Sequence, residues 1–68
     1  MTQTDKILDY IKKNGSIDPL RAMTELGVMR LASRIHDIRS LGVPVKDEMK
    51  FRYDADGKIE KKWKEYWL

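Results

Sequence analysis

Four side chains able to donate hydrogen bonds or carry positive charge, Arg30, Ser33, Arg34 and His36, stand close together in the middle of the chain. At helical spacing, about 100° per residue, Met29, Arg30, Ser33, His36, Asp37 and Ser40 share one side, with Arg34 and Arg39 at its borders. The opposite side carries Val28, Leu31, Ile35 and Ile38 at steps of three and four, a core-facing stripe. A guanidinium on such an outer face can donate two parallel bonds to the O6 and N7 of guanine, and a serine hydroxyl can reach a phosphate or a base edge. Arg30, Ser33 and Arg34 are the leading candidates for this chemistry, with His36 and Met29 beside them. Asp37 is expected to orient Arg34 rather than read a base, and Arg39 to brace the chain that follows.

Other chemistries fit the same residues poorly. A Ser33–His36–Asp37 triad would come from a single helix, without the strained turn that exposes a nucleophile or an oxyanion hole facing it. His36 is the only histidine, and the chain has no cysteine, so a metal site lacks ligands and no disulfide can staple the fold. The reading is a non-enzymatic protein with no cofactor and no metal.

The elements that must position these residues follow from local signals. A first helix is expected over Gln3–Asn14, capped by Thr2 or Thr4, with Ile7, Leu8 and Ile11 inward and Gly15 as its left-handed stop. Ile17 either anchors the linker or forms a one-residue strand against the hairpin. Asp18-Pro19 is a helix start, since a carboxylate caps and proline gives up an amide that would be unpaired anyway. The second helix then runs over Pro19–Leu26, with Leu20, Met23 and Leu26 as its apolar edge, and Gly27 ends it. The third is expected from Val28 or Met29 to Leu41, the helix at 28–41 being the candidate recognition helix. From Val43 to Tyr53 apolar and charged residues alternate, which marks a half-buried strand. Asp54-Ala55-Asp56-Gly57 is a turn with Gly57 left-handed, and a continuous register pairs Tyr53 with Ile59, Phe51 with Lys61, Met49 with Trp63 and Val45 with Trp67. That register turns Trp63 and Trp67 toward the helices and Tyr66 and Leu68 away, available to a second copy or another protein.

Length and charge bound the rest. Sixty-eight residues allow one domain, spanning 1–68, that buries only about 60% of its unfolded surface. The net charge is +3. Residues 1–27 are neutral, residues 28–42 carry Arg30, Arg34 and Arg39 against Asp37 alone, and residues 43–68 are nearly balanced. The excess therefore lies on the third helix. Apolar runs of at most three residues exclude a membrane span, and the N-terminus carries no secretory signal, so a cytoplasmic location is expected.

Three helices followed by a two-stranded hairpin make an α+β, mainly α, winged helix-turn-helix. Residues 7–42 also resemble a family of small helix-turn-helix proteins common in bacteriophages and prophages. The resemblance is carried by Ile7-Leu8-Asp9-Tyr10-Ile11, Gly15-Ser16-Ile17, Pro19-Leu20 with Ala22, Glu25-Leu26-Gly27, and Arg30 through Arg39 with Gly42. It implies a DNA-binding module, usually of unassigned biological role. Double-stranded DNA in a bacterial host cell is the expected target, with transcription control as the expected use and recombination directionality as a second. In that setting Lys50, Arg52 and Lys58 of the hairpin, with Lys61 and Lys62, are candidates to grip phosphate, while Asp47, Glu48, Asp54, Asp56 and Glu60 weigh against it. Ser16, Thr24 and Arg21 are candidates for the backbone beside the second helix. A homodimer would supply specificity that one small domain lacks. The competing reading is a protein-interaction module, a phage protein that binds and inhibits a host protein such as a nuclease. The outer face of the third helix separates the two: left open and basic it favours DNA, covered by dimerisation or by the C-terminal aromatics it favours protein.

Overall fold

A computed structural model describes residues 2–68, so the expected domain's first residue, Met1, lies outside the described residues. Three helices, α1 (Gln3–Asn14), α2 (Pro19–Leu26) and α3 (Leu31–Ser40), precede an antiparallel hairpin of β1 (Lys46–Tyr53) and β2 (Ile59–Trp67). This is the winged helix-turn-helix arrangement.

Each helix begins and ends for a local reason. Thr2 caps α1: its hydroxyl accepts from the Asp5 amide while the Asp5 carboxylate accepts from the Thr2 amide, both at 3.2 Å. Asp18 caps α2 by accepting from the Arg21 amide at 2.8 Å. Gly27, at φ +70°, closes α2 with its amide on the Met23 carbonyl, and the Val28 amide reaches back to the Ala22 carbonyl at 2.9 Å. That double closure needs a left-handed residue, which glycine supplies without a steric penalty. It also corrects the expected start of the third helix. Val28 is consumed as the buried anchor of the turn, Met29 lies in it, and Arg30 is the N-cap residue of a helix that begins at Leu31.

The core joins the three helices, β2 and the segments that link the elements. Ile7 and Ile11 of α1, Ala22 of α2, and Leu31, Ile35 and Ile38 of α3 surround Ile17, Val28, Val45 and Tyr66. The expected apolar edge of α2 is overturned in part. Ala22 is the buried residue and lets the helix approach closely, Leu26 is half-buried, and Leu20 and Met23 face water.

Ile17 forms the one-residue strand. Its amide donates to the Tyr66 carbonyl at 2.9 Å, and the Tyr66 amide returns a bond to the Ile17 carbonyl at 2.8 Å. The loop Ala55-Asp56-Gly57 closes as expected, with the Asp54 amide on the Lys58 carbonyl and Gly57 at φ +79°. Tyr53 pairs with Ile59, also as expected, but a bulge at the next step skips Glu60 and shifts the rest of β2 by one residue. Arg52 then faces Lys61, Phe51 faces Lys62, Lys50 faces Trp63, and Lys46 faces Trp67. A one-residue slip moves every side chain to the other face. Tyr66, expected outside, is therefore in the core. Trp63 and Trp67 lie half-buried on the opposite side of the sheet.

Candidate nucleic-acid interface

The outer side of α3 is built from residues whose neighbours on the helix are locked into the core. With Leu31, Ile35 and Ile38 buried, Ala32 and His36 are exposed, and Ser33, Arg34 and Asp37 are half-exposed. Arg34 Nη2 lies 3.3 Å from Asp37 Oδ2, one turn on, so the carboxylate holds the guanidinium along the helix surface as expected. Both side chains are some 40–47% exposed, so this pair is weak and can open to another anion. Ser40 Oγ turns back to the His36 carbonyl at 3.0 Å and is spent within the helix.

Met29 and Arg30 reach the same side from the turn rather than from the helix. Both are exposed, Met29 by 75%. No side chain caps α3, because Arg30 occupies the position where Ser, Thr or Asp would accept an amide. The first-turn amides of α3, at its positive end, are left without a side-chain acceptor beside Arg30 and Ser33.

Arg39 serves a different purpose. Its Nε and Nη2 donate to the Val45 carbonyl at 3.1 and 2.8 Å, and Nη2 also meets Asp47 Oδ2 at 2.8 Å. The Arg39 hydrogen bond, with the charge of Lys64 nearby, holds the Asp47 carboxyl below its ordinary range. This clamp fixes the hairpin relative to α3 and sets which sheet face lies on the α3 side. That face carries Asp47, Met49, Phe51 and Tyr53 of β1, and their partners Tyr66, Lys64, Lys62 and Ile59 of β2.

The hairpin residues expected to grip phosphate are thereby redistributed. Lys50 and Arg52 lie on the opposite face with Trp63, each beside a carboxylate: Lys50 Nζ is 3.4 Å from Glu48, and Arg52 Nε is 3.7 Å from Glu60. Lys58 sits exposed at the loop. The cations that share the α3 side are Lys62 and Lys64, both exposed. Lys64 was not among the expected residues, and the only signal that could have found it is the bulge that turns it over.

The residues near the start of α2 are also committed elsewhere. Arg21 Nε meets Asp18 Oδ2 at 2.8 Å, while Nη2 reaches Ser16 Oγ at 3.1 Å and Glu65 Oε1 at 3.3 Å. Ser16 donates to the same Glu65 oxygen at 2.6 Å. The guanidinium stacks 5.8 Å over the Tyr10 ring, whose hydroxyl donates to Glu25 at 2.5 Å. Burial pushes the Asp18 carboxyl up, but the bonds from the Arg21 amide and guanidinium outweigh it and hold the group below its ordinary range. The network ties α1, α2 and β2 together, so Arg21 and Ser16 face inward rather than toward a ligand. Thr24 Oγ1 bonds the Leu20 carbonyl at 2.9 Å.

Among the described residues no helix is long and apolar enough to cross a membrane, and no group of three or more His, Asp or Glu side chains is placed to hold a metal ion. None of the curated proteins and none of the solved structures matches the chain. The sequence pattern of the winged helix-turn-helix domain does match, over residues 2–68. Such domains are DNA-binding modules, typically without catalytic activity, and the helices, turn and hairpin described above are their elements. The chain belongs to the winged helix-turn-helix domain family.

Proposed function

We propose that this protein binds double-stranded DNA in a sequence-specific manner, laying α3 in the major groove. The observation that carries this reading is the open outer side of α3. The hairpin and the C-terminal aromatics leave it uncovered, Trp63 and Trp67 lying on the far face of the sheet. Arg30, Ser33, Arg34 and His36, with Met29 beside them, are the residues that meet base edges and the nearest phosphates. Lys62 and Lys64, held on the same side by the Arg39 clamp, add phosphate contacts. Lys50 and Arg52, turned away and beside carboxylates, add little, and Lys58 reaches phosphate only from the loop.

In this reading the protein is a small regulator of the phage type. It acts as a homodimer in the cytoplasm of a bacterial host and controls transcription. Binding to a host protein instead draws its support from Met49, Phe51, Tyr53 and Ile59, which stand exposed along one sheet face. Selection from random duplex DNA, followed by titration of the enriched sequence at several salt concentrations, separates the two. The DNA reading predicts an enriched motif and an affinity that falls steeply with salt. No enrichment refutes it.

A further inference from the structure

Among the described residues the outer edge of β1 is unpaired: β2 covers one side of it, and the bridge to Ile17 lies on the far side of β2. A free strand edge is a template for another strand, and proteins usually blunt it with a bulge, a proline or charges of one sign. Here the bulge is on β2, Lys46–Tyr53 contains no proline, and its charges are of both signs, Lys46, Lys50 and Arg52 against Asp47 and Glu48.

We propose that β1 pairs antiparallel with β1 of a second copy, about a two-fold axis through Lys50. In that register Glu48 stands opposite the second copy's Arg52, Lys46 opposite its Asp54, and Met49 opposite its Phe51. Each pairing occurs twice by symmetry. The registers two residues to either side are penalised: one sets Lys46 opposite Arg52, though it keeps Glu48 opposite Lys50. The other sets Lys50 opposite Arg52 and Glu48 opposite Asp54. Like charges directly opposite each other destabilise a ladder, so charge selects the first register. Its one like pair is Lys50 with Lys50, and each of those ammonium groups already has Glu48 of its own chain at 3.4 Å.

The apolar surface points the same way. Met49, Phe51 and Tyr53 are 40%, 44% and 60% exposed on one face, with the Phe51 and Tyr53 rings 6.4 Å apart. Pairing about Lys50 sets the two copies' stripes side by side across the seam and shields surface that each leaves in water alone. β1 itself is eight residues long, so the paired edge is short. It falls short of the roughly 1,200 Å² of a stable interface, so the dimer dissociates at about 10–100 µM.

Sedimentation equilibrium of the full chain, from about 1 µM to about 1 mM, tests this without DNA; it bears on the homodimer of the proposed function and is independent of whether α3 binds DNA. The wild-type chain shifts from monomer to dimer. Glu48→Arg and Arg52→Glu, both at exposed positions, each weaken association about tenfold or more. An equimolar mixture of the two recovers it, because each substituted side chain then stands opposite a partner of the other sign, and so do the two native ones that remain. The double variant carrying both changes dimerises with itself and excludes the wild-type chain, a readout that holds even if a single variant fails to fold. A wild-type chain still monomeric at about 1 mM overturns the proposal. So do single variants that associate like wild type, a mixture no tighter than its components, or a double variant that mixes freely with wild type.

Discussion

Replacing Tyr66 by alanine tests how β2 is seated, since the bulge at Glu60 decides whether Tyr66 or the tryptophans face the core. Tyr66 is 5% exposed, and its ring packs in a cluster that joins all three helices. An aromatic side chain of this kind buries roughly 150 Å² or more, worth about 4 kcal/mol at ~25 cal/mol per Å². Large-to-small changes of a buried aromatic cost about 3–5 kcal/mol, which agrees. A chain this short has only about 3–10 kcal/mol of stability in total, so Tyr66→Ala is expected to be largely unfolded or to melt far below wild type. Trp63→Ala removes a half-exposed ring beside Pro19 and Leu20 and costs about 1–2 kcal/mol, while Tyr66→Phe keeps the ring and costs under about 1 kcal/mol. The assay is urea denaturation followed by circular dichroism at 222 nm, which follows the helices and does not rely on the tryptophan fluorescence that Trp63→Ala changes. A Trp63→Ala loss larger than that of Tyr66→Ala would mean that the unbulged register is correct and that the tryptophans, not Tyr66, face the core.

Two further perturbations probe the links that hold the candidate interface. Arg39→Ala removes two bonds to the Val45 carbonyl and the contact with Asp47. It is expected to cost about 1–2 kcal/mol and to speed amide exchange in β1 relative to α1, and equal exchange would show that the clamp does not hold the hairpin. The Asp18 carboxyl titrates lower in the folded chain than its ordinary value of 3.8. Its contribution is therefore complete above that pH and is lost as pH falls below it, where the unfolded chain takes up the proton first. Thermal melts of wild type and Asp18→Asn between neutral pH and about pH 3 are expected to converge on acidification. Parallel curves would exclude a role for the charge.

The parts of the fold that are legible in the sequence are those fixed by neighbours a few residues apart. Thr2, Asp18-Pro19 and Gly27 mark helix ends because each satisfies an amide or carbonyl within one turn, and α1 and α2 fall where those marks place them. The start of α3 is less legible. Val28 continues the apolar period of the helix, yet its backbone is used to close α2, and the two roles look alike in a pattern of residue types. The hairpin register is the least local feature. Glu60 carries no sign of a bulge, and what places Tyr66 inward is its bonding to Ile17, nearly fifty residues earlier in the chain. The same slip explains the site. Ser33, Arg34 and His36 follow from helical period alone, whereas which lysines share their side depends on the bulge. Arg21 and Ser16 looked free because Glu65, their partner, is distant in sequence.

The most direct test of the central claim is the affinity of Arg34→Ala and Ser33→Ala for the duplex selected by the wild-type chain, measured by fluorescence anisotropy beside a thermal melt. Both side chains lie off the buried stripe of Leu31, Ile35 and Ile38. Arg34→Ala is expected to lose about 1–3 kcal/mol of binding, roughly 5- to 150-fold in Kd, and to relax the choice of base at one position, with its melt nearly unchanged. Ser33→Ala is expected to lose less, about 1 kcal/mol. Unchanged affinity in both variants, with the fold intact, would contradict the assignment of α3 as the helix that reads DNA.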